Sequence, residues 1–197
     1  MVCCENESRP TPVLISGVER RLSIDTSPNP EQGRPYGLYG VSFKRATDEE
    51  LKAATTVFDN PAASNLIAIE APAYGSGCYT EEVVTFVLET AYSGFAAARD
   101  ESLSSLGAEK VHIHTGFWGC GAYGGNRNVM TILQIAAAEL AAVDKLTFHT
   151  GDESGLAVFQ SAVETYRFLR TNKNGSLDDF IARVVNCRYE WGESDGN

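Results

Sequence analysis

Five glycines fall within the ten residues Gly116-Phe117-Trp118-Gly119-Cys120-Gly121-Ala122-Tyr123-Gly124-Gly125. The run before them, residues 110–115, alternates apolar and polar side chains as a strand does, and residues 129–143 space Ile132, Leu133, Ala136 and Leu140 as a helix does. Strand, glycine loop and helix in that order form a unit with a specific physical property. Glycine lets backbone amides come close to a ligand, and the helix that follows adds free N–H groups and the positive end of its dipole. Such a loop can hold phosphate without a basic side chain. A purely structural turn would need one or two glycines and would have no use for Trp118 and Tyr123 between them.

The remaining chain alternates strands and helices. Residues 12–17 are expected to form a short buried strand. Residues 24–35, with Pro28, Pro30, Gly33 and Pro35, read as a loop, and residues 36–44 as a strand. Thr47, with Glu50 three residues on, caps a short helix that includes Leu51. Residues 65–70 form a second apolar strand, ended by Ala71-Pro72. A helix follows over 79–95, with Val83, Val84, Val87, Leu88, Ala91 and Tyr92 on one face. Residues 145–149 are a strand and 156–169 a helix, which Asn172-Lys173-Asn174-Gly175 breaks; Ser176 caps a last helix that turns Leu177, Phe180, Ile181 and Val184 inward. This pattern predicts a layered α/β fold, a mixed sheet with flanking helices.

A chain of 197 residues, 43% hydrophobic, fits one domain. We expect a loose segment over 1–11, a domain over 12–190 and a solvated acidic tail over 191–197. The formal charge of −10, from 16 basic and 26 acidic residues, argues against direct nucleic-acid binding and against an anionic membrane surface. The five cysteines, Cys3, Cys4, Cys78, Cys120 and Cys187, are odd in number and include no Cys-x-x-Cys. Neither a disulfide framework nor a zinc knuckle is indicated, and a reducing intracellular compartment, nuclear or cytoplasmic, is expected for a soluble chain.

The loop satisfies G-x-G-x-x-G through Gly119, Gly121 and Gly124, which raises a nicotinamide enzyme as an alternative. That motif closes the first strand of a βαβαβ unit, however, and only one further strand follows here. No Gly-Lys-Ser/Thr occurs, so the P-loop pattern fails as well. His112, His114 and His149 lie near strand ends, and His112 and His114 share one face of a strand, but no further ligand of convincing spacing completes a metal site. Cys120 reads as a packing residue rather than a nucleophile.

Thr115-Gly116-Phe117-Trp118-Gly119-Cys120-Gly121-Ala122-Tyr123-Gly124-Gly125 resembles the T-G-N-W-G-C-G-A-F-G-G loop of the poly(ADP-ribose) glycohydrolases. The neighbours agree in order: Leu14-Ile15-Ser16-Gly17 resembles the family's I-I-T-G, Ile67-Ala68-Ile69-Glu70 its V-A-I-D, Ala91-Tyr92-Ser93-Gly94-Phe95 its A-Y-C-G-F, and residues 148–152 its F-T-F-G-D. The resemblance implies a macrodomain-like fold whose loop wraps the diphosphate of ADP-ribose, with no cofactor and no metal. It implies binding by Gly116, Gly119, Cys120, Gly121, Ala122, Tyr123, Gly124 and Gly125, with Tyr123 against the ribose and Tyr39 near the adenine. Partners would be ADP-ribose, poly(ADP-ribose) and ADP-ribosylated proteins.

Three departures bear on activity. The family's G-G-G loop with Q-E-E, which carries the acid that protonates the departing ribose oxygen, should precede the strand at Val13, and the residues there do not fit it. Gly75-Ser76-Gly77 with Glu81 and Glu82 mimics that motif only superficially, as a weak surrogate. Phe117 stands in place of the loop's Asn, and Thr150 in place of the aromatic that stacks adenine. Each of those two changes is expected to weaken binding by about 1–3 kcal/mol. The expectation is a family member that binds ADP-ribose with hydrolysis impaired or absent in this chain alone. The alternatives are a non-catalytic reader or decoy, a degenerate interaction protein, and a piece of a longer glycohydrolase.

Overall fold

The computed structural model describes residues 11–105, 107–170 and 175–195. The expectations for Cys3, Cys4 and the loose segment up to residue 10, and for the helix break at residues 172–174, lie outside these. The chain divides into two compact units. One contains Leu14 and the residues from Ile67 onward, and the other Ile15–Leu66.

In the smaller unit, β1 (Val13–Ile24) and β2 (Thr55–Ala68) pair as a two-stranded sheet. Hydrogen bonds from Asp25 N to Ala54 O (2.8 Å) and from Gly17 N to Asn65 Oδ1 (3.0 Å) run them in opposite directions. Both strands are longer than the apolar cores at 12–17 and 65–70 suggest, because their extensions are mostly exposed and carry only scattered apolar residues such as Leu22 and Val57. Residues 36–44 are not a strand. Gly37, at φ 71°, turns the chain, and Gly40–Arg45 forms the short helix α1. The helix α2 (Asp48–Ala54) starts at the expected capping box: Thr47 Oγ1 accepts from Glu50 N, and the Glu50 carboxylate accepts from Thr47 N at 2.7 Å.

The larger unit holds the hydrophobic core. Its long helix α3 (Glu81–Ser104) extends well past residue 95 and buries Val84, Val87, Leu88, Ala91, Phe95 and Ala98 at three- and four-residue spacing. The helix α4 (Arg127–Leu140) is buried nearly all round, from Val129 to Leu133 and from Ala136 to Ala138, because it lies between α3 and α5 (Glu153–Leu169). Each fully buried Leu or Val there contributes about 1.5–3 kcal/mol. The last helix α6 (Leu177–Asn186) packs on α3 behind a Ser176 capping box.

Strands β3 (His112–Gly116) and β4 (Lys145–His149) pair in parallel, with Ile113 opposite Leu146 and Gly116 opposite His149. Ile113 points into the core and Thr115 reaches α4, while His112, His114 and His149 are exposed on the other face. That alternation sets the direction in which the chain leaves β3 into the glycine loop. Among the described residues no helix is long and apolar enough to cross a membrane.

Candidate functional site

The glycine loop leaves β3 under the control of one buried amide side chain. Gln134, fully buried on α4, donates from Nε2 to Gly116 O (3.1 Å) and accepts from Thr115 Oγ1 (2.5 Å). Without these bonds the buried Gln134 would cost about 1–3 kcal/mol as an unsatisfied polar group. Two turns then fold the loop: Cys120 N donates to Phe117 O (3.1 Å), Gly124 N to Gly121 O (3.0 Å) and Gly125 N to Gly119 O (2.9 Å). Gly119 sits at φ 75°, where a Cβ would stand 2.5 Å from Ala71 Cβ, so only glycine fits.

The carbonyl and amide sides of the loop are used differently. The carbonyls of Gly119, Gly121, Ala122, Tyr123 and Gly124 all accept hydrogen bonds. Among the described residues, the amides of Gly119, Gly121, Ala122 and Tyr123 donate none. A cavity of about 730 Å³ opens beside Gly119 and Tyr123, lined also by Ile67, Glu70, Ala71, Thr115 and Trp118 among others. Its size suits a nucleotide-sized ligand. Neighbouring backbone donors facing such a space form an anion cradle. Asn126 caps α4 directly behind the loop, its Oδ1 accepting from Asn128 N (3.0 Å) and Val129 N (3.4 Å).

The residues singled out in the sequence fall at different places in the fold. Glu81 and Glu82 are exposed in the first turn of α3 and do not line this cavity. Glu70 does, and it was legible only as the end of an apolar strand. Tyr39 belongs to the smaller unit, exposed at the start of α1. Tyr123 lies 5.9 Å, centroid to centroid, from Tyr74, a residue the pattern gave no reason to single out. Burial pushes the Cys120 thiol up to about 12, although Arg127 opposes the shift. This favours the protonated thiol at neutral pH and fits a packing role.

Phe117, in the place of a polar residue, stands edge-on to Phe148 (5.1 Å), which in turn stacks on Phe159 (5.1 Å). Arg127 lies over its other contact surface, 4.9 Å from the ring centroid. This guanidinium at the helix start is a cation that sequence reasoning missed, because a single arginine outside the glycine run carries no motif. The indole Nε1 of Trp118 is buried without a hydrogen-bond partner among the described residues.

The three histidines pair with one another and with Thr147. His114 Nδ1 lies 2.9 Å from His149 Nε2, and His112 Nε2 lies 2.6 Å from Thr147 Oγ1. Among the described residues no group of three or more His, Cys, Asp or Glu side chains is arranged to hold a metal ion.

The stretch expected to be a solvated acidic tail has exposed carboxylates but a bound backbone. Trp191 stacks on Tyr79 at 4.5 Å, and Gly192 N donates to Gly124 O (2.8 Å). The polar side chains that suggested solvation face out, while peptide groups, which leave no trace in composition, make the contacts.

Compared with known families, residues 31–157 match the family described as poly(ADP-ribose) glycohydrolase, macro domain fold. The match includes the glycine loop and both strands of the parallel pair.

Proposed function

The chain belongs to the poly(ADP-ribose) glycohydrolase family, with its macro domain fold, and from that premise we propose that its glycine loop binds the diphosphate of ADP-ribose. The observation that carries the proposal is the run of unengaged amides at Gly119, Gly121, Ala122 and Tyr123, of which Gly119 and Tyr123 line a cavity of about 730 Å³. Phosphate oxygens accept from such donors at a helix start, and the Arg127 guanidinium adds positive charge nearby. Tyr123, on the cavity wall, packs against the ribose. Free ADP-ribose, its polymer and ADP-ribosylated proteins all present this diphosphate.

We further propose that this chain, taken alone, binds without efficient hydrolysis. Cleavage of a ribose–ribose bond needs a positioned carboxylic acid that protonates the leaving oxygen. Glu70 lines the cavity, but its neighbours Ile69 and Ala71 differ from the Gln-Glu-Glu arrangement that the family resemblance implies.

Calorimetric titration with ADP-ribose tests the first part, with NAD and a Gly121→Glu variant as controls. Saturable binding lost in Gly121→Glu is expected, since the new carboxylate would meet phosphate. No heat from a folded protein would sink the proposal. Incubation with poly(ADP-ribose) tests the second part: rapid release of ADP-ribose, abolished by Glu70→Gln, would overturn it.

A further inference from the structure

The segment from Tyr189 to Asp195 lies along the carbonyl side of the glycine loop. Tyr79 N donates to Tyr189 O (2.8 Å), Trp191 N to Gly77 O (2.9 Å) and Asn126 Nδ2 to Glu190 O (2.9 Å). Beyond Trp191, Gly192 N donates to Gly124 O (2.8 Å), Ser194 Oγ to Ala122 O (2.6 Å) and Asp195 N to Gly121 O (3.4 Å). The anchor is the Trp191 indole, stacked on the buried Tyr79 ring with 11° between planes. The Tyr79 hydroxyl accepts from Asn126 N (2.9 Å), the capping residue at the end of the loop.

These bonds have a directional consequence. A trans peptide unit is planar, with its C=O and N–H pointing to opposite sides. Fixing Gly121 O therefore aims the Ala122 N–H away from the segment, and fixing Ala122 O does the same for the Tyr123 N–H. Those are two of the four unengaged amides. Glycine-rich peptides rotate readily, and a flipped unit would present a carbonyl to phosphate in place of a donor.

We propose that residues 189–195 form a strap that holds the glycine loop with its amides toward the ligand, with Trp191 as the positioning residue. The assignment of the ligand rests on the reading of this loop as a diphosphate site; the clamping of the loop does not. Glu193, exposed along the strap, makes none of these bonds.

The experiment combines amide hydrogen exchange in the ligand-free protein with ADP-ribose titration, on the full chain. Trp191→Ala is expected to raise exchange at the Gly124 and Gly125 amides and to weaken ADP-ribose binding by about 10-fold, as loss of an aromatic stack would. Trp191→Phe, which keeps a ring on Tyr79, should restore most of both. Ser194→Ala removes the hydroxyl that donates to Ala122 O and should weaken binding by about 2- to 10-fold, which decides the matter if Trp191→Ala does not fold. Unchanged exchange in folded Trp191→Ala, or raised exchange with unchanged affinity, would overturn the strap's role. Absence of binding in the wild-type protein would instead remove the diphosphate reading, and the exchange comparison would still decide whether the strap clamps the loop.

Discussion

Two irregular loops in this protein solve the problem of unpaired peptide groups in opposite ways. The loop around Arg34 is filled from inside. The guanidinium, 3% exposed, donates to Asp25 O (2.6 Å), Ser27 O (3.2 Å), Gln32 Oε1 (2.7 Å) and the Asp25 carboxylate (3.4 Å). The chain closes around it, with Asn29 N donating to Arg34 O and Arg34 N to Asn29 O. The glycine loop instead engages its carbonyls from outside and leaves amides open on the inside. A loop built around its own side chain spends its carbonyls on that side chain, whereas one that lacks side chains and has its carbonyls held leaves donors of a single polarity open.

The largest expected effect comes from giving the glycine loop a side chain. Gly119→Ala combines left-handed strain with overlap on Ala71, about 2–4 kcal/mol together. ADP-ribose affinity should fall about 100-fold, measured by calorimetry. Retained affinity would mean that the loop tolerates a shift and that its open side is not sharply shaped.

Emptying the other loop is the next test. Arg34→Met leaves several carbonyls without their donor, and destabilisation of about 1.5–3 kcal/mol is expected, seen as faster hydrogen exchange over residues 25–38. A smaller effect follows from Asn126→Ala, which removes the cap of α4 at about 0.5–2 kcal/mol and frays its first turn in the same measurement. If the two variants loosen their regions equally, the contrast between internal filling and external clamping is weaker than drawn here.

The smallest effect is a pH dependence. The Asp25 pKa is lowered, first by the hydrogen bond from the Ser27 amide, then by the Ser27 side chain and by Arg34. A depressed carboxylate pKa adds stability that is present above the unfolded value near 3.8 and disappears as pH falls through the lower folded value. Asp25→Asn should flatten this part of the acid denaturation curve. An unchanged curve would show that the arginine loop stands on backbone acceptors alone.

Legibility tracked the kind of interaction involved. Thr47 and Ser176 were readable as caps because side chain and position coincide in sequence. The glycine loop was readable because five glycines in ten residues have few other uses. The misreading of residues 36–44 arose where tertiary context overrode a short apolar alternation and α1 formed instead. Glu70 and Arg127 acquired meaning only from the cavity wall and the Phe117 ring that they reach. The strap was hidden because its polar composition resembles any solvated tail, although a lone Trp191 among acidic residues was a signal that something buried an indole there.

By itself the sequence determined the α/β order, the caps, the apolar faces of the helices and the presence of a glycine-rich loop between a strand and a helix, since each depends on residues close together in the chain. The tertiary structure alone decided which peptide groups of that loop stay free. That choice depends on hydrogen bonds between residues 121–124 and 192–195, and backbone groups, alike at every position, carry no sequence mark of their distant partners.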